Sequence, residues 1–285
     1  MIHSWRHNTL KVYKSFIIRY INYCELNNID IFKPKICEVL DWLAKLYQEG
    51  LSYSSINCAR SALSSFCFKL SGSSLGSQPD IVRFMKGVYE LRTPVPKLSI
   101  TWDVNILFEH FRKQDTLDLK SLSHKLCSLL MLATFQRVQT IASFKLSGII
   151  WTPSGCTIFP LDKLKHTRRG YHQEPFKLMN FSESKICPVL CLKEYIERTK
   201  EMRDNQDELF ISFQNPFKAV SKDTISRWLT DSLRNAGVQN FSAHSYRSAS
   251  ASHSLKNGHD VKTILKNAGW TREDTFRKFY LKPIQ

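Results

Sequence analysis

Two prolines one residue apart, Pro94 and Pro96 in "RTPVPKLSI" at 92–100, constrain the fold more than any other feature. Proline breaks a helix interior, and it drives the residue before it into extended backbone. The stretch therefore reads as an extended linker between two segments that each carry helical patterning. At 285 residues the chain is long enough for two separate cores. The expected organisation is a domain over 1–92, a linker at 93–100, and a second domain over 101–285.

Before the break, residues 8–26, 35–49, 52–70 and about 79–91 repeat apolar side chains at helical spacing. Val12, Phe16, Tyr20 and Cys24 form one such stripe; Val39, Leu43 and Leu46 form another. The Gly, Ser and Pro content of "SGSSLGSQP" at 71–79 marks a loop. Beyond the break, Thr101 is placed to cap a helix over 102–113, and a long apolar helix covers 119–134. The pattern then changes to β-branched and aromatic residues interrupted by Gly and Pro, with strands expected near 148–151, 156–161 and 174–180. The last two flank the basic stretch "DKLKHTRRG". Helices resume at 188–203, 221–236, 243–257, 259–268 and about 272–281, with Thr271 and Asp274 suited to a capping box for the last. The fold class that follows is mainly α with a small antiparallel β-sheet in the second domain.

The charge balance narrows the partner. Lys and Arg number 41 against 25 Asp and Glu, a formal excess of +16. Residues 1–96 carry 12 basic and 7 acidic side chains, and the remainder 29 and 18, so both segments are basic. Such a field favours a polyanion, most commonly nucleic acid. No apolar run approaches the roughly 18–20 residues needed to span a bilayer, which argues against a membrane protein. The eight cysteines are scattered; Cys187 and Cys191 form a C-x3-C pair with no second pair nearby, which argues for reduced thiols and no metal site.

Against that background, "AHSYRSASAS" at 243–252 holds His244 and Arg247 three residues apart. On a helix these share a face, and an imidazole beside a guanidinium suits an anion. Arg137 follows the long apolar helix, Lys163 and Lys165 sit in the basic hairpin, and Trp270 precedes Tyr280. Taken singly, each has an ordinary structural reading: an ion pair, a capped histidine, a solvated loop, a core aromatic.

In this order and relative spacing the residues resemble the tyrosine recombinase, or phage integrase, superfamily. "TFRKFY" and "SALSSF" look closest to recombinases of eukaryotic mobile elements of the DIRS or Crypton type. The resemblance implies a helical DNA-clamping domain over 1–92 and a catalytic domain over 101–285. It implies catalytic roles for Arg137, Lys165, His244, Arg247, Trp270 and Tyr280, with Lys163 the alternative hairpin lysine. Tyr280 is then the nucleophile that forms a 3′-phosphotyrosine, and the two arginines hold phosphate oxygens. It further implies double-stranded DNA as partner, four copies of the chain on two duplexes, no metal or ATP, and residence in the nucleus. Arg60, Lys69, Lys163, Arg168, Arg169 and Arg227 are candidate DNA contacts. This sequence departs from the family pattern at Thr140, where an acidic residue often stands, and in an interval from Trp270 to Tyr280 that is one residue longer than the commoner one. Only five residues follow Tyr280, where many relatives carry another helix. The remaining alternatives are a type IB topoisomerase-like enzyme, a DNA-binding protein with a decayed active site, and an RNA-binding protein.

Overall fold

A computed structural model describes residues 5–67, 74–94, 99–164, 167, 170 and 173–285. The chain divides into two compact units, Met1–Lys97 and Leu98–Gln285. It is mainly helical, with one three-stranded antiparallel sheet. Among the described residues no helix is long and apolar enough to cross a membrane.

The described residues of the first unit form four α-helices: α1 (His7–Asn27), α2 (Ile36–Gln48), α3 (Tyr53–Phe66) and α4 (Pro79–Leu91). Their apolar stripes meet in one core containing Tyr20, Cys24, Val39, Trp42, Leu43, Leu46, Ile56, Leu63, Ile81 and Met85. The local chemistry sets the helix ends. Asn28 adopts the left-handed conformation that stops α1. The Glu38 carboxylate accepts from the Lys35 N–H at 2.7 Å, satisfying a donor at the start of α2. Ser52 caps α3, and Pro79 opens α4, where its missing N–H costs nothing. The expected helix over 52–70 is thus described to Phe66; residues 68–73 lie outside the described set.

The second unit is built around α6 (Leu119–Thr134), buried nearly all round through Leu122, Leu126, Cys127, Leu129, Leu130 and Met131. A helix buried on nearly every face belongs inside a core. Packed on it are α8 (Pro188–Thr199), α9 (Lys222–Asn235) and α10 (Ser245–Lys256). Around these lie α5 (Val104–Arg112), the short α7 (Val138–Ala142), α11 (Val261–Ala268) and α12 (Glu273–Phe279). The strands β1 (Ile149–Thr152), β2 (Gly155–Ile158) and β3 (Phe176–Met179) are shorter than expected and run in that order. Their register aligns Ile149, Ile158 and Phe176, with Ile158 and Phe176 in the main core of the unit.

Three local expectations are corrected. Thr101 is not a helix cap: Asp103 caps α5 by accepting from the Asn105 N–H at 2.9 Å. The Thr101 backbone instead pairs with the chain end, donating to the Pro283 carbonyl and accepting from the Gln285 N–H, both at 2.9 Å. Thr271 and Asp274 do not form a capping box, because α12 begins at Glu273 after Arg272, which makes no side-chain cap. That helix also ends at Phe279, so Tyr280 sits at its C-terminal cap rather than within it.

Candidate active site

Three chain turns bring the candidate residues together. The first follows α6, where Phe135 adopts a left-handed φ of 54° and reverses the chain. A bulky side chain rarely takes that conformation, at a cost of about 1–2 kcal/mol. Here the Phe135 ring packs into a small core with Ala251, Ile264, Ala268, Trp270 and Phe276. The reversal delivers Arg137 to the start of α7. Gln136, buried beside it, donates to the Asn267 carbonyl at 2.6 Å and so ties this turn to the last turn of α11.

The second turn ends α11. Gly269 has φ 67°, its N–H donates to the Lys266 carbonyl, and the Trp270 N–H donates to the Leu265 carbonyl. This is the Schellman arrangement, which favours glycine at the left-handed position. It drives Trp270 into the core with 7% of its surface exposed. The third is the end of α12, where the Tyr280 N–H still donates to the Phe276 carbonyl at 2.9 Å. The Tyr280 ring then lies 4.4 Å from the Trp270 ring and 6.0 Å from the His244 ring, centroid to centroid.

Arg247, on the first turn of α10, is the centre of the cluster. It is fully buried, with its guanidinium carbon 4.6 Å from the Trp270 ring centroid and 5.1 Å from that of Tyr280. One amine donates to the Ala268 carbonyl at 3.0 Å. That carbonyl is at the C-terminal end of α11, where the helix dipole presents partial negative charge to a cation. The other two nitrogens, Nε and Nη1, are buried with no acceptor among the described residues, and so is the Trp270 indole Nε1. Burial pushes the Arg247 pKa down, and the Arg137 charge pushes it further. The Arg137 pKa is also lowered by burial, while Tyr280, hydrogen-bonded to it, acts in the opposite direction. Buried donors of native proteins are nearly always paired. Two such donors on Arg247 and one on Trp270, with the positive charge of Arg137 nearby, suit an oxyanion chemically.

His244 and Arg247 do not present themselves equally. His244 is at the N-cap of α10 and exposed, whereas Arg247 is enclosed, yet both border the Tyr280 ring. Thr140 is buried, and its N–H donates to the Arg137 carbonyl at 2.8 Å, closing the turn that carries the arginine. Lys163 is exposed on the connection between β2 and β3. Arg227 is exposed on α9 and Arg60 half-buried on α3. Lys69, Lys165, Arg168 and Arg169 lie outside the described residues. All eight cysteines carry free thiols.

Residues 103–283 match the phage integrase family. The chain belongs to that family. It is 24% identical over 284 residues to a tyrosine recombinase of Thermosipho africanus, covering 96% of this chain and 89% of the relative. Its fold is similar to that of the Tn1549 transposon integrase (residues 82–397) in complex with circular intermediate DNA, with TM-score 0.62, 13% identity, and coverage of 97% of this chain and 90% of that one. It is also similar to the lambda integrase of a tetramer bound to a Holliday junction, with TM-score 0.53, 16% identity, and coverage of 94% and 73%. Sequence reasoning missed Gln136, which acts by a hydrogen bond to backbone distant in sequence and stands out by neither periodicity nor motif.

Proposed function

We propose that this protein cuts and rejoins duplex DNA through a covalent bond between Tyr280 and a 3′ phosphate. The observation that carries the reading is the set of acceptor-less donors, Arg247 Nε and Nη1 and Trp270 Nε1, beside the Tyr280 ring and its hydroxyl partner Arg137. A phosphodiester supplies the missing acceptors, and its pentavalent transition state carries more charge on the non-bridging oxygens than the ground state does. Preorganised donors therefore favour the transition state.

In the step itself the Tyr280 oxygen attacks phosphorus and the bond from phosphorus to the 5′ oxygen breaks. The tyrosine proton passes to His244 or to water, and the departing 5′ oxygen takes a proton from the hairpin lysine, Lys165 or Lys163. The product is a 3′-phosphotyrosine and a 5′-hydroxyl. One phosphodiester replaces another, so the exchange needs neither ATP nor metal. Attack by a different 5′-hydroxyl completes recombination. The lambda integrase tetramer on a Holliday junction supports four protomers on two duplexes as the working assembly. The likeness to a transposon integrase supports integration of a mobile element as the setting; a eukaryotic host, and with it the nucleus, rests on "TFRKFY" and "SALSSF" alone.

A covalent-trapping assay tests the reading. The protein is incubated in EDTA with nicked suicide duplexes and with supercoiled plasmid, then denatured in SDS. The expected result is protein attached to a 3′ DNA end, absent with Tyr280→Phe although that variant still binds DNA. DNA binding by the parent without an adduct on any substrate would instead favour a binding protein whose active site has decayed. Plasmid relaxation without strand exchange would favour a topoisomerase.

A further inference from the structure

We propose that Ser252 is a positioning residue for the nucleophile, holding the backbone at the Tyr280 carbonyl and at Lys282 just beyond it. The proposal rests on the strand-cleavage reading above. Helix α10 buries three serines in sequence alternation, Ser248, Ser250 and Ser252. The first two spend their hydroxyl protons on their own helix, Ser248 on the Ser245 carbonyl at 3.2 Å and Ser250 on the Tyr246 carbonyl at 2.7 Å. That is the usual choice for a serine within a helix. Ser252 turns outward instead. Its Oγ donates to the Tyr280 carbonyl at 3.3 Å and accepts from the Lys282 N–H at 3.0 Å.

Those two groups are where the chain needs partners. The carbonyls at a helix C-terminus have no acceptor role left within the helix, and Tyr280 caps α12. A single hydroxyl on another helix thus closes the end of α12 and fixes the first residues of the tail. Farther along, the tail is held by the Thr101 backbone. Between these anchors the tail runs beside α10.

Ser252 also lies on the element that carries Arg247. They stand five positions apart, about 7.5 Å along the helix axis. One rigid helix therefore sets both the guanidinium that faces the phosphate and the backbone that carries the attacking oxygen. In-line attack needs the reacting atoms within about 3–3.5 Å, and small errors there cost rate steeply. Removing the Ser252 hydroxyl leaves the Tyr280 ring and the phosphate donors chemically intact, but frees the segment that carries the ring.

The experiment compares the parent, Ser252→Ala, and Ser250→Ala as a control that loses only a bond within its own helix. Two quantities are measured on each: amide hydrogen exchange of the 277–285 peptide without DNA, and the single-turnover rate of adduct formation on a suicide duplex beside the DNA dissociation constant. For Ser252→Ala we expect faster exchange confined to that peptide and about tenfold slower adduct formation, with DNA affinity unchanged. Ser250→Ala should match the parent in both. Unchanged exchange in Ser252→Ala would overturn the clasp. Faster exchange with an unchanged cleavage rate would overturn its positioning role. A parent that forms no adduct on any duplex would remove the cleavage reading and this role with it, and the exchange data would identify that failure as one of chemistry rather than of the clasp.

Discussion

The guanidinium of Arg247 lies 4.6 Å from the centre of the Trp270 ring, and both side chains bury N–H groups that find no acceptor among the described residues. Stacking and the Ala268 carbonyl hold the guanidinium in place. They leave its Nε and Nη1 uncompensated, with a second positive charge on Arg137 acting on it. The folded unit carries this as a standing cost, of the kind active sites retain for function.

An anion should therefore stabilise the fold by completing the site. Millimolar inorganic phosphate or sulfate is expected to raise the melting temperature of the parent by a few degrees, about 1 kcal/mol for a unit of this size. Arg247→Met, which fills similar space without charge, should melt no lower than the parent in anion-free buffer and should lose the anion-dependent increment. Thermal denaturation at fixed ionic strength measures both. An equal increment in parent and variant would show that the anion binds elsewhere.

Arg137 and Arg247 are expected to contribute mainly to the transition state. Arg137→Ala or Arg247→Ala should slow adduct formation by roughly 100- to 1000-fold, by analogy with losing one oxyanion donor. DNA affinity, carried by the basic surface of both units, should change far less. Single-turnover cleavage and equilibrium binding separate the two effects. Cleavage within a few-fold of the parent would remove the arginine concerned from the catalytic set.

Trp270 has two separable jobs, and two substitutions divide them. Trp270→Phe keeps a ring against Phe276 and Arg247 but deletes the indole donor. It should cut the cleavage rate by about tenfold and leave stability nearly intact. Trp270→Ala empties the small core of Phe135, Ala251, Ile264, Ala268 and Phe276, and should cost about 3–5 kcal/mol in urea unfolding. Equal losses of rate and stability in both variants would make Trp270 a packing residue only.

Much of this was legible before the fold was known, and the physical reason is periodicity. Long helices such as α1, α6 and α9 write their buried faces into the sequence every three to four residues, and the "PVP" break divides the chain in a way that composition alone shows. The five residues of α7 are too few to show a period, so the helix that follows Arg137 went unseen. Thr101 has the side chain of a cap, yet its backbone is engaged by residues 283–285, a pairing that no local pattern encodes. The helix expected over 272–281 stops at Phe279 because the Ser252 hydroxyl and the tail take over the hydrogen bonding there. At the site, residue types and order pointed to Arg137, His244, Arg247, Trp270 and Tyr280, and the fold brings these five together. The difference between an enclosed Arg247 and an exposed His244 emerged only with the fold, since spacing gives a shared face but not its depth.

The second unit should lose stability in mild acid through His124. This residue is on α6, 7% exposed, with its ring 5.6 Å from that of Trp228 and stacked on it, the Phe213 ring edge-on at 6.3 Å, and Nε2 buried with no hydrogen-bond partner among the described residues. Burial lowers its pKa; Asp231 and Asp118 pull the other way, while Lys120 adds to the lowering. The folded state thus holds His124 neutral at a pH where the unfolded chain, with an ordinary histidine value of about 6.5, binds a proton. The unfolded state then binds more protons, so stability rises with pH across that interval. The contribution is fully present above about pH 6.5 and is lost as pH falls from there towards the lower folded value. His124→Phe retains the stacking and cannot titrate. Urea unfolding of parent and variant at pH 7.5, 6.5 and 5.5 measures the difference, in which the other histidines cancel. The parent should lose stability relative to the variant on acidification, and parallel curves would show that His124 is accommodated in its protonated form.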